Sequence, residues 1–357
     1  MNTISQEQFL KKMNQHCRRN FIPLKGFFEL TPLCNLDCKM CYIHLQDKGV
    51  REKLLSGEQW TNLMRQAVDR GMLSATLTGG EAMTHPDFWD IFRFLRSRGV
   101  LVTVKTNGLM LNEEAIRRFA EEKVAKLHIS LYGCDRESYI AVTGHDAFEQ
   151  VDRNIRAAAA AGLPLKLMIV PSGYMSPWAD RVIEKAKEYG VPIKVNGLLL
   201  EPRKDTGRKK ADFDLTLDEQ FRLLEKGTEP SQKGASPRQE PEEETDGSAV
   251  RDGGLKCGAA RSSFAVYWTG DLAPCLNYPE ELFRESALVS GFDAAWEKAV
   301  REVRHFKAPE PCGKCEYREE CNYCPVKHYP ASLQNACDPN ACEYMKRLID
   351  NAKAQPK

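Results

Sequence analysis

The stretch Cys34-Asn35-Leu36-Asp37-Cys38-Lys39-Met40-Cys41 contains three cysteines within eight residues, at the spacing C-x3-C-x2-C. It follows an apolar run, residues 26–31, which predicts a β-strand that ends before Pro32, because proline cannot donate to a sheet ladder. We therefore expect the thiols on a loop at the carboxyl end of a strand. Thiolates so close together repel one another unless a metal neutralises them, and three soft ligands suit an iron–sulfur cluster or zinc. The alternatives from this loop alone are a disulfide with one free thiol, or zinc with His44 as fourth ligand.

Length, charge and cysteine content limit the class of protein. The chain has 357 residues, which predicts two domains, and a net charge of +1, which argues against a nucleic-acid partner. The amino end is polar, and no later stretch reaches the roughly 18 apolar residues of a membrane span. We therefore expect a cytoplasmic protein with no membrane partner. In that reducing compartment its 13 cysteines are expected to be metal ligands rather than disulfides.

Predicted strands and helices alternate through the first two thirds of the chain. The strands are predicted over residues 26–31, 74–78, 101–106, 126–131, 165–170 and 192–198. The helices between and after them are predicted over residues 56–71, 86–98, 112–122, 148–161, 178–189 and 216–226, the first opened by a capping box at Ser56 and Gln59. Strands rich in Val, Ile and Leu that alternate with helices predict an α/β protein with a parallel sheet, either doubly wound or a barrel.

Changes in composition divide the chain into four segments. We expect an N-terminal helix in residues 1–23, the α/β domain in 24–226, a linker or disordered insertion in 227–254 and a cysteine-rich domain in 255–357. The insertion contains three prolines and an acidic run and few apolar residues. Eight of the 13 cysteines lie between Cys257 and Cys342, and a last helix is predicted over residues 341–351. Cys17, in the N-terminal helix, is expected to be a lone surface thiol.

Polar motifs follow three of the predicted strands. Gly79, Gly80 and Glu81 come directly after the second strand, and glycines let backbone approach a ligand while a carboxylate can accept from an ammonium group. Asn107 ends the third strand and Ser130 the fourth. A surface turn with a glutamate, and a simple Asn-Gly turn, are the alternatives for the first two motifs.

Together these residues resemble the cluster loop and ligand motifs of the radical S-adenosylmethionine (SAM) superfamily. The resemblance implies a partial (β/α)6 barrel whose [4Fe-4S] cluster is held by Cys34, Cys38 and Cys41 and binds SAM through its open iron. It implies that the motif Gly79, Gly80 and Glu81 holds the SAM amino group and that Ser130 contacts the ribose or carboxylate, while Asn107 is either a SAM contact or a turn. Met40 stands where relatives usually have an aromatic residue. The arginine that many relatives use for the SAM carboxylate has no counterpart in residues 143–146.

The second cysteine group resembles the SPASM domain, which carries auxiliary iron–sulfur clusters. The resemblance implies an outer cluster held by Cys312, Cys315, Cys321 and Cys342. It implies an inner cluster held by Cys257, Cys275 and Cys324, with Ser263 at the position of a further family cysteine. Here Cys321 and Cys324 are separated by two residues rather than the usual three. Cys337 is an alternative fourth ligand of the inner cluster, and one zinc bound by Cys312, Cys315, Cys321 and Cys324 is the alternative for the whole group.

The resemblance implies an enzyme that cleaves SAM reductively to a 5′-deoxyadenosyl radical, which abstracts hydrogen from the substrate. We expect a peptide or protein substrate and a maturase that forms thioether or other crosslinks. The alternatives are an oxidation like that of anaerobic sulfatase maturases, or a non-peptide substrate such as a tetrapyrrole or sugar. A reductant such as flavodoxin or ferredoxin is expected, and a separate leader-peptide-binding protein, because only about 25 residues precede the first strand. The alternative from another class is an electron-transfer or scaffold protein without SAM chemistry. No catalytic residue is assigned.

Overall fold

A computed structural model describes residues 5–45, 49–196, 199–203, 206–227 and 255–354. Its strands are β1 (Lys25–Glu29), β2 (Ser74–Thr78), β3 (Leu101–Thr106), β4 (Lys126–Ser130), β5 (Leu165–Ile169), β6 (Ile193–Val195), β7 (Ser263–Val266), β8 (Asp271–Ala273) and β9 (Glu285–Ser286). Its helices are α1 (Gln6–Arg19), α2 (Gly57–Asp69), α3 (Phe88–Ser97), α4 (Glu113–Glu121), α5 (Arg136–Thr143), α6 (Phe148–Ala160), α7 (Ala179–Glu188), α8 (Leu217–Gly227), α9 (Ala287–Ser290), α10 (Phe292–His305), α11 (Glu310–Gly313) and α12 (Pro339–Ala354).

The strands form one sheet in the order β6-β5-β4-β3-β2-β1-β7-β8-β9. Strands β1 to β6 pair in parallel with their sequence neighbours, and helices connect β2 to β6 on the outside. This arrangement confirms the predicted α/β fold with its six repeating units. Because all six strands run in the same direction, the loops that follow them lie together at one edge of the sheet.

Alternation along the strands separates a helix-covered face from an inward face. Val104, Ile129 and Leu167 have no exposed surface and belong to the hydrophobic core. On each of these strands, the residues next to these core positions face the interior of the partial barrel, since successive side chains on a strand point to opposite faces. The outer helices add aromatic packing, for example Phe92 of α3 against Phe119 of α4 with ring centroids 5.4 Å apart.

The sheet continues beyond the six predicted strands. Strand β7 pairs in parallel with β1, and β8 and β9 follow in antiparallel pairing. Phe264 of β7 packs edge-on against Phe28 of β1 at 5.7 Å and against Phe292 of α10 at 4.9 Å. Residues assigned from sequence to the cysteine-rich domain therefore share a hydrophobic core with the barrel. The expected linker lies outside the described residues except for Gly227, which ends α8.

Several local expectations are confirmed and others are wrong. The capping box of α2 forms, with Ser56 and Gln59 bonded in both directions. Helix α5, which begins after the capping residue Asp135, and helix α10 are absent from the sequence prediction. Cys17 is 6% exposed and so is a core thiol rather than a surface one. Within the described residues, the helices are too short or too polar to cross a membrane.

Candidate radical SAM site

A cavity of about 310 Å³ opens at the carboxyl ends of the parallel strands. It is lined by six of the residues assigned from sequence, namely Cys38, Cys41, Gly79, Gly80, Asn107 and Ser130. These residues come from the loops after β1 and β2 and from the ends of β3 and β4. The structure therefore brings together four motifs that are separated by up to about 90 residues in the chain.

The two glycines after β2 allow their loop to pack against the cluster loop. A Cβ at Gly79, whose φ is +149°, would lie 2.3 Å from the carbonyl oxygen of Thr31, and one at Gly80 would lie 2.4 Å from that of Leu33. In this contact the Gly80 N–H donates to Thr31 O at 2.8 Å and the Glu81 N–H donates to Leu33 O at 2.9 Å. Glycine is required here because any side chain would separate the two loops.

The Glu81 carboxylate lies inside the protein, and the side chain is 1% exposed. Its oxygens accept from the Asn107 N–H at 2.8 Å, the Thr106 hydroxyl at 3.0 Å and the Met83 N–H at 3.2 Å. Burial raises the pKa of Glu81 to about 7, although these hydrogen bonds act in the opposite direction. These bonds hold the end of β3 against the loop after β2, and the expectation that Glu81 contacts the SAM amino group stays a prediction.

Asn107 connects the end of β3 to the cluster loop. Its side-chain nitrogen donates to Asn35 Oδ1 at 2.7 Å and lies 3.7 Å from Cys34 Sγ. Its side-chain oxygen accepts from the Leu109 N–H at 3.0 Å, which is the turn expected from the Asn-Gly pair. The two interpretations of this motif are therefore compatible, since one side chain forms the turn and also faces the site.

The three loop cysteines form a buried set of soft donors. Burial, the largest factor, raises the pKa of Cys34 to about 12, and burial also raises the pKa of Cys38 and Cys41. Backbone N–H groups already point at the sulfur atoms, from Leu36 to Cys34 at 3.4 Å and from His44 to Cys41 at 3.3 Å. Buried thiolates need a cationic partner, so this donor set fits a thiolate-ligated iron–sulfur cluster.

The imidazole of His44 is engaged elsewhere. Its Nδ1 lies 3.2 Å from a carboxylate oxygen of Asp37. The structure therefore offers no support for His44 as the fourth ligand of a zinc ion in this loop.

Residues missed by the sequence reasoning also line the cavity. Tyr132 lies beside Ser130 and Cys38, and burial raises its pKa. Lys105 and His128 reach the same cavity from the inward faces of β3 and β4. The alternation of apolar and polar residues on these strands is the signal that could have indicated the two inward-facing side chains.

The three cysteines assigned to the inner cluster lie together. Burial raises the pKa of Cys275 to about 12, and the neighbouring thiols Cys324 and Cys257 add to the shift. Burial also raises the pKa of Cys324, with Cys257 again contributing. Because Cys324 lies near Cys257 and Cys275, the structure does not support the alternative of one zinc site that joins Cys324 to Cys312, Cys315 and Cys321.

The outer group contains five thiols rather than four. Cys337 lies beside Cys312, with 3.2 Å between the sulfur atoms, and beside Cys342. Cys315 and Cys321 complete the group through their proximity to Cys342. Cys337 is therefore a neighbour of the outer cysteines, and the structure does not support the alternative that it serves the inner group.

A histidine stands next to the outer group. The ligand atoms of His328, Cys337 and Cys342 lie within 4.8 Å of one another. The ring of His328 stacks on Tyr323 at 4.5 Å, and its Nδ1 accepts from the Asp338 N–H at 3.0 Å, just before α12 begins. Eight thiols in two groups are a donor set that fits auxiliary iron–sulfur clusters.

A smaller cavity of about 80 Å³ adjoins the first. The two cavities share Tyr42, Leu200, Leu276 and Asn277. Leu276 directly follows Cys275, so the two cavities lead from the ends of the parallel strands toward the inner cysteines.

Comparisons with known proteins agree with this geometry. Residues 28–175 match the model of the family described as the Radical SAM superfamily. Residues 28–175 are therefore a radical SAM domain and the chain is an enzyme; members of the superfamily bind a [4Fe-4S] cluster and SAM.

Individual relatives extend the similarity beyond the matched domain. Mycofactocin maturase MftC of Mycobacterium tuberculosis is 26% identical over 309 residues, which cover 84% of this chain and 77% of the relative. AdoMet-dependent heme synthase of Methanosarcina barkeri is 26% identical over 340 residues, which cover 85% of this chain and 92% of the relative. The crystal structure of Streptococcus suis SuiB bound to SAM has the same fold, with a TM-score of 0.68 at 17% identity over 95% of this chain and 82% of SuiB.

Proposed function

We propose that this protein is a radical SAM peptide maturase. The observation that carries the proposal is the joining of the three-cysteine loop to Gly79 and Gly80 at a single cavity. When bound, the cluster and SAM supply one-electron cleavage of SAM, which yields an oxidant able to remove hydrogen from an unactivated carbon. Cys34, Cys38 and Cys41 hold the cluster.

The surrounding residues orient SAM and exclude water. The backbone of Gly79 and Gly80 accepts the SAM amino group, and Ser130 and Asn107 contact its polar atoms. Glu81 supports this arrangement indirectly by holding Asn107, whose side chain reaches Cys34. A buried network with its hydrogen bonds satisfied keeps such a site rigid before the ligand arrives.

Relatives support a peptide as the substrate. MftC is named as a maturase of mycofactocin, and SuiB has been solved bound to its precursor peptide SuiA. The smaller cavity adjoins the site and shares four lining residues with it. A thioether or another crosslink is the proposed product, and the general base, if the reaction uses one, has no assignment.

The cysteine-rich region supports two auxiliary clusters. We assign the inner one to Cys257, Cys275 and Cys324, and the outer one to four of its five thiols. Three thiolates would leave one cubane iron without a protein ligand; a substrate thiol could bind there through its sulfur and release its proton to solvent, as metal-bound thiols do. We keep residues 24–226 and 255–357 as two functional units, although they share a sheet.

The partners and location are part of the same proposal. A one-electron reaction needs a donor such as flavodoxin or ferredoxin, and a separate leader-peptide-binding protein would present the substrate. All 13 cysteines are unpaired, which suits a reducing cytoplasm.

A tetrapyrrole is the second candidate substrate. The heme synthase similarity covers 92% of that relative, against 77% for the maturase at the same identity. Stimulation of SAM cleavage by a propionate-bearing tetrapyrrole, and not by Cys-containing precursor peptides, would favour this candidate.

The test is SAM cleavage by the reconstituted holoenzyme. The protein would be loaded anaerobically with iron and sulfide, reduced with dithionite and assayed for 5′-deoxyadenosine, with an unreduced sample as control. We expect reductant-dependent 5′-deoxyadenosine. A fully loaded protein that forms none would instead support an electron-transfer or scaffold role.

A further inference from the structure

Basic side chains lie side by side on the inward face of the barrel. In the parallel ladder Lys105 of β3 is opposite His128 of β4, and His128 is opposite Lys166 of β5. Neighbouring strands are about 4.8 Å apart, so these three side chains form one row across the sheet. Lys194 of β6 is opposite Met168, one inward position further along β5.

Like charges this close are unfavourable unless an anion neutralises them. Burial, and after it the charge of Lys194, lowers the pKa of Lys105. Burial also lowers the pKa of His128 to about 4, with Lys105, Lys126, Lys166 and Lys194 contributing in that order. His128 is therefore neutral at physiological pH and can donate one ring N–H.

The described residues provide no anionic partner at the cavity end of this row. Among the residues that the structure describes, none forms an ion pair with Lys105. Glu29, an acid on the inward face of β1, already accepts two hydrogen bonds of 2.7 Å from the Arg203 guanidinium. The Nδ1 atom of His128 is buried and has no described hydrogen-bond partner.

Both residues line the ligand cavity. Ser130, Asn196 and the cluster-loop residues Cys38 and Cys41 line it as well. An ammonium beside a neutral imidazole donor matches one carboxylate, whose two oxygens accept a charge-assisted bond and an ordinary hydrogen bond.

We propose that Lys105 and His128 form a carboxylate-binding subsite on the barrel side of the radical SAM cavity. The carboxylate comes from the substrate or from SAM itself. If it is the substrate's, the subsite selects substrates with an acidic side chain, a free carboxyl terminus or a propionate arm. The assignment of the cavity as the radical SAM site rests on the proposed function.

The test separates the two sources with different probes. Binding of propionate to the SAM-loaded holoenzyme would be measured by saturation-transfer NMR, with propionamide as the neutral match. Binding of SAM and of decarboxylated SAM would be measured by equilibrium dialysis. The variants are Lys105→Met, Lys105→Arg to retain the charge, and Lys12→Met on the exposed face of α1 as control.

A substrate subsite predicts that propionate, but not propionamide, binds to wild type and Lys12→Met, and that Lys105→Met weakens binding about tenfold to a hundredfold. Lys105→Arg should restore part of it. A SAM subsite predicts instead that wild type prefers SAM over decarboxylated SAM and that Lys105→Met loses this preference.

Other outcomes overturn the proposal. If Lys105→Met, with wild-type iron content, binds propionate and discriminates between the two SAM forms as wild type does, the subsite does not exist. Propionate binding does not require SAM cleavage. A holoenzyme that forms no 5′-deoxyadenosine would therefore contradict the proposed function, while the propionate-binding result could still be interpreted by itself.

Discussion

The cluster-loop cysteines follow β1 at the carboxyl end of the parallel strands in a nine-stranded sheet. The outer cysteines lie instead in α11, in the start of α12 and in the turns that connect these two helices. The first group is held by backbone contacts such as Gly80 to Thr31 and by a core that includes Phe28 and Leu30. The second has beside it only a small described cluster of Phe221, Tyr344 and Met345. From this difference we predict that the protein core organises the radical SAM site before any metal binds, and that the outer region needs a bound metal for its order.

The largest effect is expected from removing the cluster loop's ligands. Replacing Cys34, Cys38 and Cys41 together with Ala should reduce 5′-deoxyadenosine formation to background, because SAM has no iron to bind. The auxiliary iron should remain, as measured by iron content and Mössbauer spectra. Complete loss of iron would show that the two regions are not independent. Cys134→Ala, outside both groups, is the matched control.

Iron removal should affect the two regions differently. After anaerobic chelation we expect hydrogen exchange in residues 310–342 to accelerate on the order of a hundredfold or more, since metal binding there is folding energy. Exchange in β2 and β3 should change little. Equal acceleration of hydrogen exchange in residues 310–342 and in β2 and β3 would contradict this expected difference. It would mean that the radical SAM site depends on metal for its order as much as the outer region does.

The contact between the two loops should tolerate no side chain. Gly79→Ala would place a Cβ against the Thr31 carbonyl, while Gly162→Ala, also at positive φ, meets nothing within 4 Å. We expect Gly79→Ala to be about 1–3 kcal/mol less stable than Gly162→Ala in denaturant titrations, and slower in SAM cleavage. Equal stability of the two variants would mean that the loops move apart without cost.

The smallest effect is expected at the fifth outer thiol. Cys337→Ser leaves four thiols, so iron content and EPR spectra should match wild type, whereas Cys315→Ser should lose the outer cluster signal. Loss of that signal in Cys337→Ser would make Cys337 a ligand in place of Cys342. Loss of the inner-cluster EPR signal instead would indicate that Cys337 is the fourth ligand of the inner cluster, the alternative that the structure does not support.

Local patterns in the sequence determined much of this protein. The spacing of Cys34, Cys38 and Cys41 depends only on neighbouring residues, and strand and helix periodicity repeats within a dozen residues, so both could be read directly. The grouping of Cys257, Cys275 and Cys324 followed from the resemblance to the SPASM domain. Strand β7 was not predicted from the sequence, because it is short and lies beyond the insertion. Its place beside β1 depends on packing between Phe264 and Phe28.

Tertiary structure alone decided the direction of individual side chains. Whether Glu81 faces a ligand or the end of β3 depends on how the loops after β2 and β3 meet, and hydrogen bonds from Thr106 and Asn107 turn it inward. The position of Cys337 depends on the fold of the turns before α12. The row of Lys105, His128 and Lys166 exists only because strand register aligns residues that are far apart in the chain. Register is a long-range property of the sheet, and no single segment encodes it.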